Sequence, residues 1–205
     1  MKNTRILLFV ACLVVIGSII YTFSDTGEDI SYTELIQQER NEKDEFLRNS
    51  ADSPLTVTDK KEFEGLSYYP VDKTYKVKAT LVLLTAREIV TMPTSDGKEK
   101  QYKKYAYAKF QLGGEALRLV LYQSVQKPDD QLFLPFADGT SALETYGAGR
   151  YLDFEIPDNN ELIIDFNLAY NPYCAYSDKF SCPLPPKENF LSVAIKAGEK
   201  NYLKN

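Results

Sequence analysis

Carboxylates must carry whatever polar chemistry this sequence performs, because it contains no histidine at all. That absence removes Ser-His-Asp and Cys-His catalytic arrangements, imidazole metal sites and the usual neutral-pH general base. Asp153 and Asp165 are the most suggestive pair. A hairpin with the five-residue loop Pro157 to Glu161 pairs Ile156 with Leu162, Phe154 with Ile164, and Leu152 with Phe166. Such a register makes one face wholly apolar, as a half-buried hairpin requires, whereas a loop one residue shorter sets Leu152 against Asp165. The apolar register predicts Tyr151 opposite Asn167, Glu155 opposite Ile163, and Asp153 directly opposite Asp165. Opposed carboxylates repel unless a cation, a nearby Arg, a shared proton or water relieves them. Three uses stay open: solvated charges on an exposed face, a pair that holds a cation or polar ligand, and a proton-sharing catalytic dyad.

Arg150 starts the same strand, directly after Tyr146-Gly147-Ala148-Gly149. This stretch is not a phosphate loop, since it lacks both Gly-x-Gly-x-x-Gly and Gly-Lys-Ser. Its glycines mark a turn or a close backbone approach. A buried Arg150 needs a carboxylate partner, and an exposed one can bind an anion. Asp138 lies in the turn Asp138-Gly139-Thr140-Ser141, which follows the strand-like run Leu132 to Phe136. The candidate polar site is therefore Asp138, Arg150, Tyr151, Asp153, Asp165, Asn167 and Asn171. The stretch Tyr170 to Tyr176 mixes turn residues with tyrosines, and reads either as a surface loop packed by its rings or as a pocket rim.

Cys174 and Cys182 are separated by seven residues, AYSDKFS. In an exported domain, two cysteines without a third predict one disulfide. Closing so short a loop stabilises by roughly 2–3 kcal/mol. A zinc site needs four soft ligands, so no metal is expected, and no cofactor either. The gap is also not the Cys-x-x-Cys spacing of redox-active pairs.

The elements that must position these residues follow from charge and periodicity. The chain has 205 residues, 24 Lys plus Arg against 29 Asp plus Glu, and a net charge of -5. That balance excludes a nucleic-acid partner, which needs a basic stripe. At 44% hydrophobic and 26% charged residues, wholesale disorder is excluded too. Lys2 and Arg5 precede Ile6 to Phe23, eighteen residues without a charge. As a helix this run spans roughly 27 Å, the thickness of a bilayer core. It exceeds the ~7–15 apolar residues of a secretory signal, and Thr22-Phe23-Ser24 is a poor cleavage site. Cys12 sits within the run rather than at its end, against lipidation. Residues 1–23 are thus expected to be an uncleaved transmembrane helix, a signal anchor in the inner (cytoplasmic) membrane with its N-terminus cytoplasmic and the rest facing the periplasm or cell exterior. An acidic domain gains nothing from lying on an anionic membrane surface.

Residues 24–52 read as a linker, SDTGED, and a spacer helix from about Tyr32 to Arg48, begun by the capping box Ser31 and Glu34. Leu35, Ile36, Phe46 and Leu47 share one side, and the polar middle QQERNEKDE is expected to be largely solvated. From Tyr75 the period is two: Tyr75, Val77, Ala79, Leu81 and Leu83 alternate with Lys76, Lys78 and Thr80. Ser95-Asp96-Gly97 is a turn. Gly113-Gly114 joins a hairpin that pairs Leu112 with Glu115, Phe110 with Leu117, Ala108 with Leu119 and Ala106 with Leu121. Its other face carries Lys109 with Arg118, Tyr107 with Val120 and Tyr105 with Tyr122. Residues 53–205 are expected to be mainly β: one domain of about seven to eight antiparallel strands, closed into a barrel or folded as a sandwich.

The blocks LFLPFADGTSALETYGAGRYLDF and IDFNLAYNPYCAYSDKFSCPLPPKENFLSVAIKAGEK resemble the signature region of domain-of-unknown-function family 1684 (DUF1684). The resemblance begins near Ser53 to Leu55 and Phe63 to Asp72 and runs to Lys200, with AYNPYCAYS and CPLPPKEN its most specific parts. Ala142 stands where that pattern carries Gly after Thr-Ser. The resemblance implies a mostly β domain of bacterial proteins, sometimes anchored or exported, with no established activity. The polar positions matching its motif are Asp138, Thr140, Arg150, Asp153, Asn167, Asn171, Cys174, Cys182 and Asn189, none with a role that transfers.

Three functional readings follow. The leading one is a membrane-anchored extracytoplasmic binding or accessory module whose partners are the bilayer, through its N-terminal helix, and a small polar ligand or cation. The second is a carboxylate-based hydrolase with Asp153, Asp165 and Asp138 as acid and base and Arg150 on an anionic group. The third is a structural subunit of an envelope complex. Whether the protein is an enzyme stays open at this level.

Overall fold

A computed structural model describes residues 31–126 and 131–203. The expected anchor and the linker that follows it lie outside the described residues. Among those residues, no helix is long and apolar enough to cross a membrane. The chain divides into two units, Met1–Glu39 and Arg40–Asn205. Of the first, the described part is the opening of helix α1 (31–49), where Leu35 is exposed.

In the second unit the rest of α1 is not the solvated spacer expected from its polar middle. Arg40 and Leu47 are buried. Arg40 donates through Nη1 to the Tyr69 carbonyl at 3.0 Å and lies over the Tyr68 ring. Lys43 pairs with Glu199 at 2.7 Å, and Asp44 accepts the Leu66 N–H at 3.1 Å. Polar residues on a helix point to water only when the facing surface is apolar; here that surface offers carbonyls and a buried carboxylate. Leu47 packs with Leu55, Phe63 and Tyr176 in a small second cluster. A short helix α2 (Val57–Glu62) follows, started by a reciprocal capping box between Thr56 and Asp59.

Among the described residues, seven strands make one antiparallel sheet: β1 (Lys76–Leu83), β2 (Ile89–Pro93), β3 (Glu99–Leu112), β4 (Glu115–Ser124), β5 (Gln131–Phe136), β6 (Arg150–Glu155) and β7 (Glu161–Asp165). Their order is β6-β5-β4-β3-β1-β7, with β2 paired to β3. The chain is mainly β as expected, and the sheet curls into a half-barrel. Alternation explains the inward faces. Val77, Ala79 and Leu81 of β1 are buried while Lys76, Lys78 and Thr80 are exposed. The β3–β4 hairpin forms in the expected register from Leu112↔Glu115 to Ala106↔Leu121, with Gly113 and Gly114 both at positive φ. Beyond Ala106 a bulge intervenes, so Tyr122 pairs with Lys104 instead of Tyr105. The opposite face of this hairpin is partly covered too: Val120 and Tyr122 are buried with Met92 of β2.

The main core fills the concave side, where Phe136, Leu121, Leu134, Ile164, Phe166 and Ile195 are fully buried. Leu152, Leu162, Ile164 and Phe166 join it, and Phe154 and Ile156 pack against it. The apolar face read from Leu152 to Phe166 is therefore real, but the ladder expected between β6 and β7 is absent. β7 pairs with β1 (Val77↔Ile164, Lys76↔Asp165), and β6 pairs with β5 (Leu134↔Leu152, Phe133↔Asp153). Either arrangement turns the same side chains inward, so local alternation cannot choose between them. Pairing with sequence-distant strands places β6 and β7 at the two ends of the sheet.

Between β4 and β5 the ladder is the single pair Tyr122↔Phe133. Asn189, fully buried, continues it: its side chain accepts from Val120 N–H at 2.7 Å and donates to the carbonyls of Val120 and Pro135. A side-chain amide thus replaces strand pairing beside Pro135, which has no N–H to offer.

Candidate functional site

The expected site residues separate into two groups. Arg150 is fully buried: it pairs with Asp138 at 2.9 Å and donates to the carbonyls of Ile195, Ala197 and Glu199. Asp138 is equally engaged, accepting from the Thr140 N–H (2.8 Å) and hydroxyl (2.7 Å) and from the Ile195 N–H (3.0 Å). Gly149 makes this possible. Its φ is +85°, and a Cβ there would sit 2.5 Å from the Phe136 carbonyl oxygen. An arginine so enclosed, with a carboxylate partner, ties the last segment to the sheet and is closed to an incoming anion.

Asn171 belongs to a second enclosed node, centred on Glu199, which sequence reading did not single out. This fully buried carboxylate accepts from the Asn171 N–H (3.1 Å) and Nδ2 (2.7 Å), from Lys43 and from the Tyr176 hydroxyl. Burial and the Glu199 charge push the Tyr176 hydroxyl well above the usual phenol range. Asn167 acts as a clasp: it receives the Asp72 N–H at 2.9 Å and returns Nδ2–H to the Asp72 carbonyl at 2.8 Å. Tyr151 donates its hydroxyl to the Pro183 carbonyl and packs edge-on against Phe133 and Tyr170.

Asp153, exposed, and Asp165, buried, form the cleft group. No ladder joins their strands, yet both border one cleft of about 390 Å³, with Lys76, Leu152, Phe154, Ile163, Leu168 and Tyr170. The geometry is set at three places. Asp165 ends β7 and caps the turn Phe166–Leu168, accepting from the Asn167 N–H and Nδ2–H, each at 3.0 Å. Lys76 stands opposite Asp165 across the β1–β7 pair. Tyr170 closes one end: its backbone bridges to Tyr151 of β6, and its hydroxyl donates to Asp153. Burial, then the Asp153 charge, raises the Tyr170 hydroxyl far above its ordinary value, so it stays a donor. Ile163 and Leu168 are 49% and 40% exposed, leaving apolar surface beside the carboxylates. A cleft with two acid groups, one lysine and an apolar wall suits a ligand with a cationic head and an apolar body.

Asp138 does not line this cleft, so the three carboxylates of the hydrolase reading are not gathered in one place. Among the described residues, no group of three or more acidic, Cys or His side chains is arranged to hold a metal ion. Lys76 was missed because its role depends on which strands are neighbours, whereas Tyr170 was legible as one end of the stretch read as a surface loop or a pocket rim.

The expected disulfide is not formed. Cys174 and Cys182 are free thiols, and the Cys182 sulfur accepts the Cys174 N–H at 3.2 Å. Counting cysteines finds partners; whether the bond closes depends on oxidation, which no spacing encodes.

A family model described as "Protein of unknown function (DUF1684)" matches residues 61–200. The solution NMR structure of an uncharacterized protein of Haloarcula marismortui is similar, with a TM-score of 0.67 and 38% identity, over 87% of this chain and 99% of that one. No curated protein matches.

Proposed function

The chain belongs to the DUF1684 family, and from that premise we propose that it is an extracytoplasmic binding module held at the cytoplasmic membrane by residues 6–23. Its ligand is a small organic cation, a primary or quaternary amine with an apolar portion, seated between β6 and β7. The observation that carries this reading is the placement of Asp153 and Asp165, from opposite ends of the sheet, around one apolar-walled cleft. Low-dielectric walls strengthen the pull of two carboxylates on a cation, and Lys76 leaves the site with one net negative charge. The support for membrane attachment is separate: an uncharged run of bilayer length behind Lys2 and Arg5.

The test is thermal unfolding of the full chain in detergent with a panel of alkyl amines, and with divalent cations as a second arm. An amine that raises Tm in the wild type and fails to do so in Asp153→Asn and Asp165→Asn supports the reading. A panel without effect, or one whose effect survives both substitutions, overturns it. N-terminal sequencing of membrane-bound protein checks the anchor, since a mature chain starting near Asp25 contradicts it.

A further inference from the structure

We propose that Cys174 and Cys182 form a dithiol site that reduces small hydroperoxides, with Cys174 as the attacking sulfur and Cys182 as the resolving one. The tertiary structure supplies the proximity that the sequence spacing lacks. Cys174 lies on the short turn Tyr173–Ala175, and Cys182 is pinned from the other side by the β2–β3 turn. There Ser95 donates its N–H to the Cys182 carbonyl at 2.9 Å and accepts the Cys182 N–H on its hydroxyl at 3.2 Å. The Cys182 sulfur consequently lies against Cys174, whose N–H it accepts at 3.2 Å, with the Tyr146 hydroxyl 3.7 Å from Cys174 Sγ.

The two thiols are unequal. Cys182 is buried at 7% exposure, whereas Cys174 is only half-buried. The bond from the Cys182 thiol, helped by Tyr146 and Ser95, holds Cys174 below the usual thiol range, to about 6. That same bond, together with burial, pushes Cys182 up. One thiolate, on the more accessible sulfur, is the outcome, and the thiolate is the nucleophile. Lys100, anchored to the Ser181 carbonyl at 2.7 Å, is a cation on this side, and Asp96, which accepts the Ser181 hydroxyl at 2.7 Å, and Asp178 are acids. A half-buried sulfur excludes a folded protein's disulfide and admits a small oxidant, whose oxygens meet the hydroxyls of Tyr146 and Ser95.

In the first step the Cys174 thiolate attacks the nearer peroxide oxygen. The S–O bond forms, the O–O bond breaks, and the departing oxygen takes a proton from solvent to leave as water or an alcohol. Sulfur loses two electrons and the peroxide gains them. Cys182 then attacks the Cys174 sulfenic sulfur; the S–S bond forms, the S–O bond breaks, and hydroxide leaves as water with the Cys182 proton. A small external dithiol returns two electrons and two protons.

The experiment uses the full chain in detergent, reduced, desalted and given hydrogen peroxide. Two thiols per chain should become unreactive to maleimide, with the mass loss of two hydrogens, and dithiothreitol should restore both. Cys182→Ser should stop at a dimedone-trapped sulfenic acid on Cys174. Cys174→Ser should consume peroxide at least about tenfold more slowly, because the remaining thiol is protonated. The proposal is overturned if both cysteines stay alkylatable after peroxide, if Cys174→Ser reacts as fast as wild type, or if the pair is isolated as a disulfide that dithiothreitol does not open in the folded chain.

Discussion

The interior of the half-barrel and the cleft between its two end strands place carboxylates in different surroundings. Inside, Arg150 and Asp138 meet at 2.9 Å, and both make further hydrogen bonds to backbone groups or Thr140. Glu199 is enclosed in the same way by Asn171, Tyr176 and Lys43. In the cleft, Asp153 is exposed and Asp165 is buried at the wall where it caps the Phe166–Leu168 turn, with Ile163 and Leu168 adding apolar surface. The difference separates two uses of a carboxylate. One enclosed with a basic side chain joins segments that no ladder connects, and one that lines a cleft borders space a ligand can enter. Polarity and proximity in sequence do not distinguish them, since Arg150 and Asp153 sit on one six-residue strand.

The sharpest way to break that comparison is Arg150→Met. It strands the Asp138 charge in the interior and should destabilise by about 3–5 kcal/mol, read as a lower denaturant midpoint with unchanged slope. A loss below 1 kcal/mol would place Arg150 with the cleft residues instead. Glu199→Gln should cost about 1–3 kcal/mol, because Lys43 and the Tyr176 hydroxyl lose a charged acceptor.

A smaller effect of the opposite sign is expected at Ala142, the one non-glycine residue with positive φ (65°) among those described. It stands in the loop that leads from Asp138 to Arg150. Ala142→Gly removes left-handed strain worth roughly 1–2 kcal/mol and gives back part of it as unfolded-chain entropy. The net should be a gain of about 0.5–1 kcal/mol, visible as a raised Tm. Least of all, Asp153→Asn should shift stability by no more than about 0.5 kcal/mol, since its amide oxygen still accepts from Tyr170. A large loss there would make the cleft carboxylate structural and erase the contrast.

By itself the sequence determined what depends on neighbours along the chain. Period-two alternation set the inward faces of β1, β3, β4, β6 and β7, Gly113-Gly114 set the hairpin and its register up to Ala106, and the AYNPYCAYS and CPLPPKEN blocks set the family. A buried Arg150 was predicted to need a carboxylate, and Asp138 provides it. Tertiary structure decided everything that required choosing between equivalent partners. β6 and β7 present the same inward side chains whether paired with each other or with β5 and β1, so their separation, the cleft and the roles of Tyr170 and Lys76 were not encoded locally. The polar face of α1 gave no sign that Glu199 and the Tyr69 carbonyl would meet it, and the bulge at Tyr105 arises from packing, not alternation. The physical reason is common to all three. Alternation specifies which way a side chain points, while the identity of the surface it meets is set by the summed burial of residues far apart in the chain.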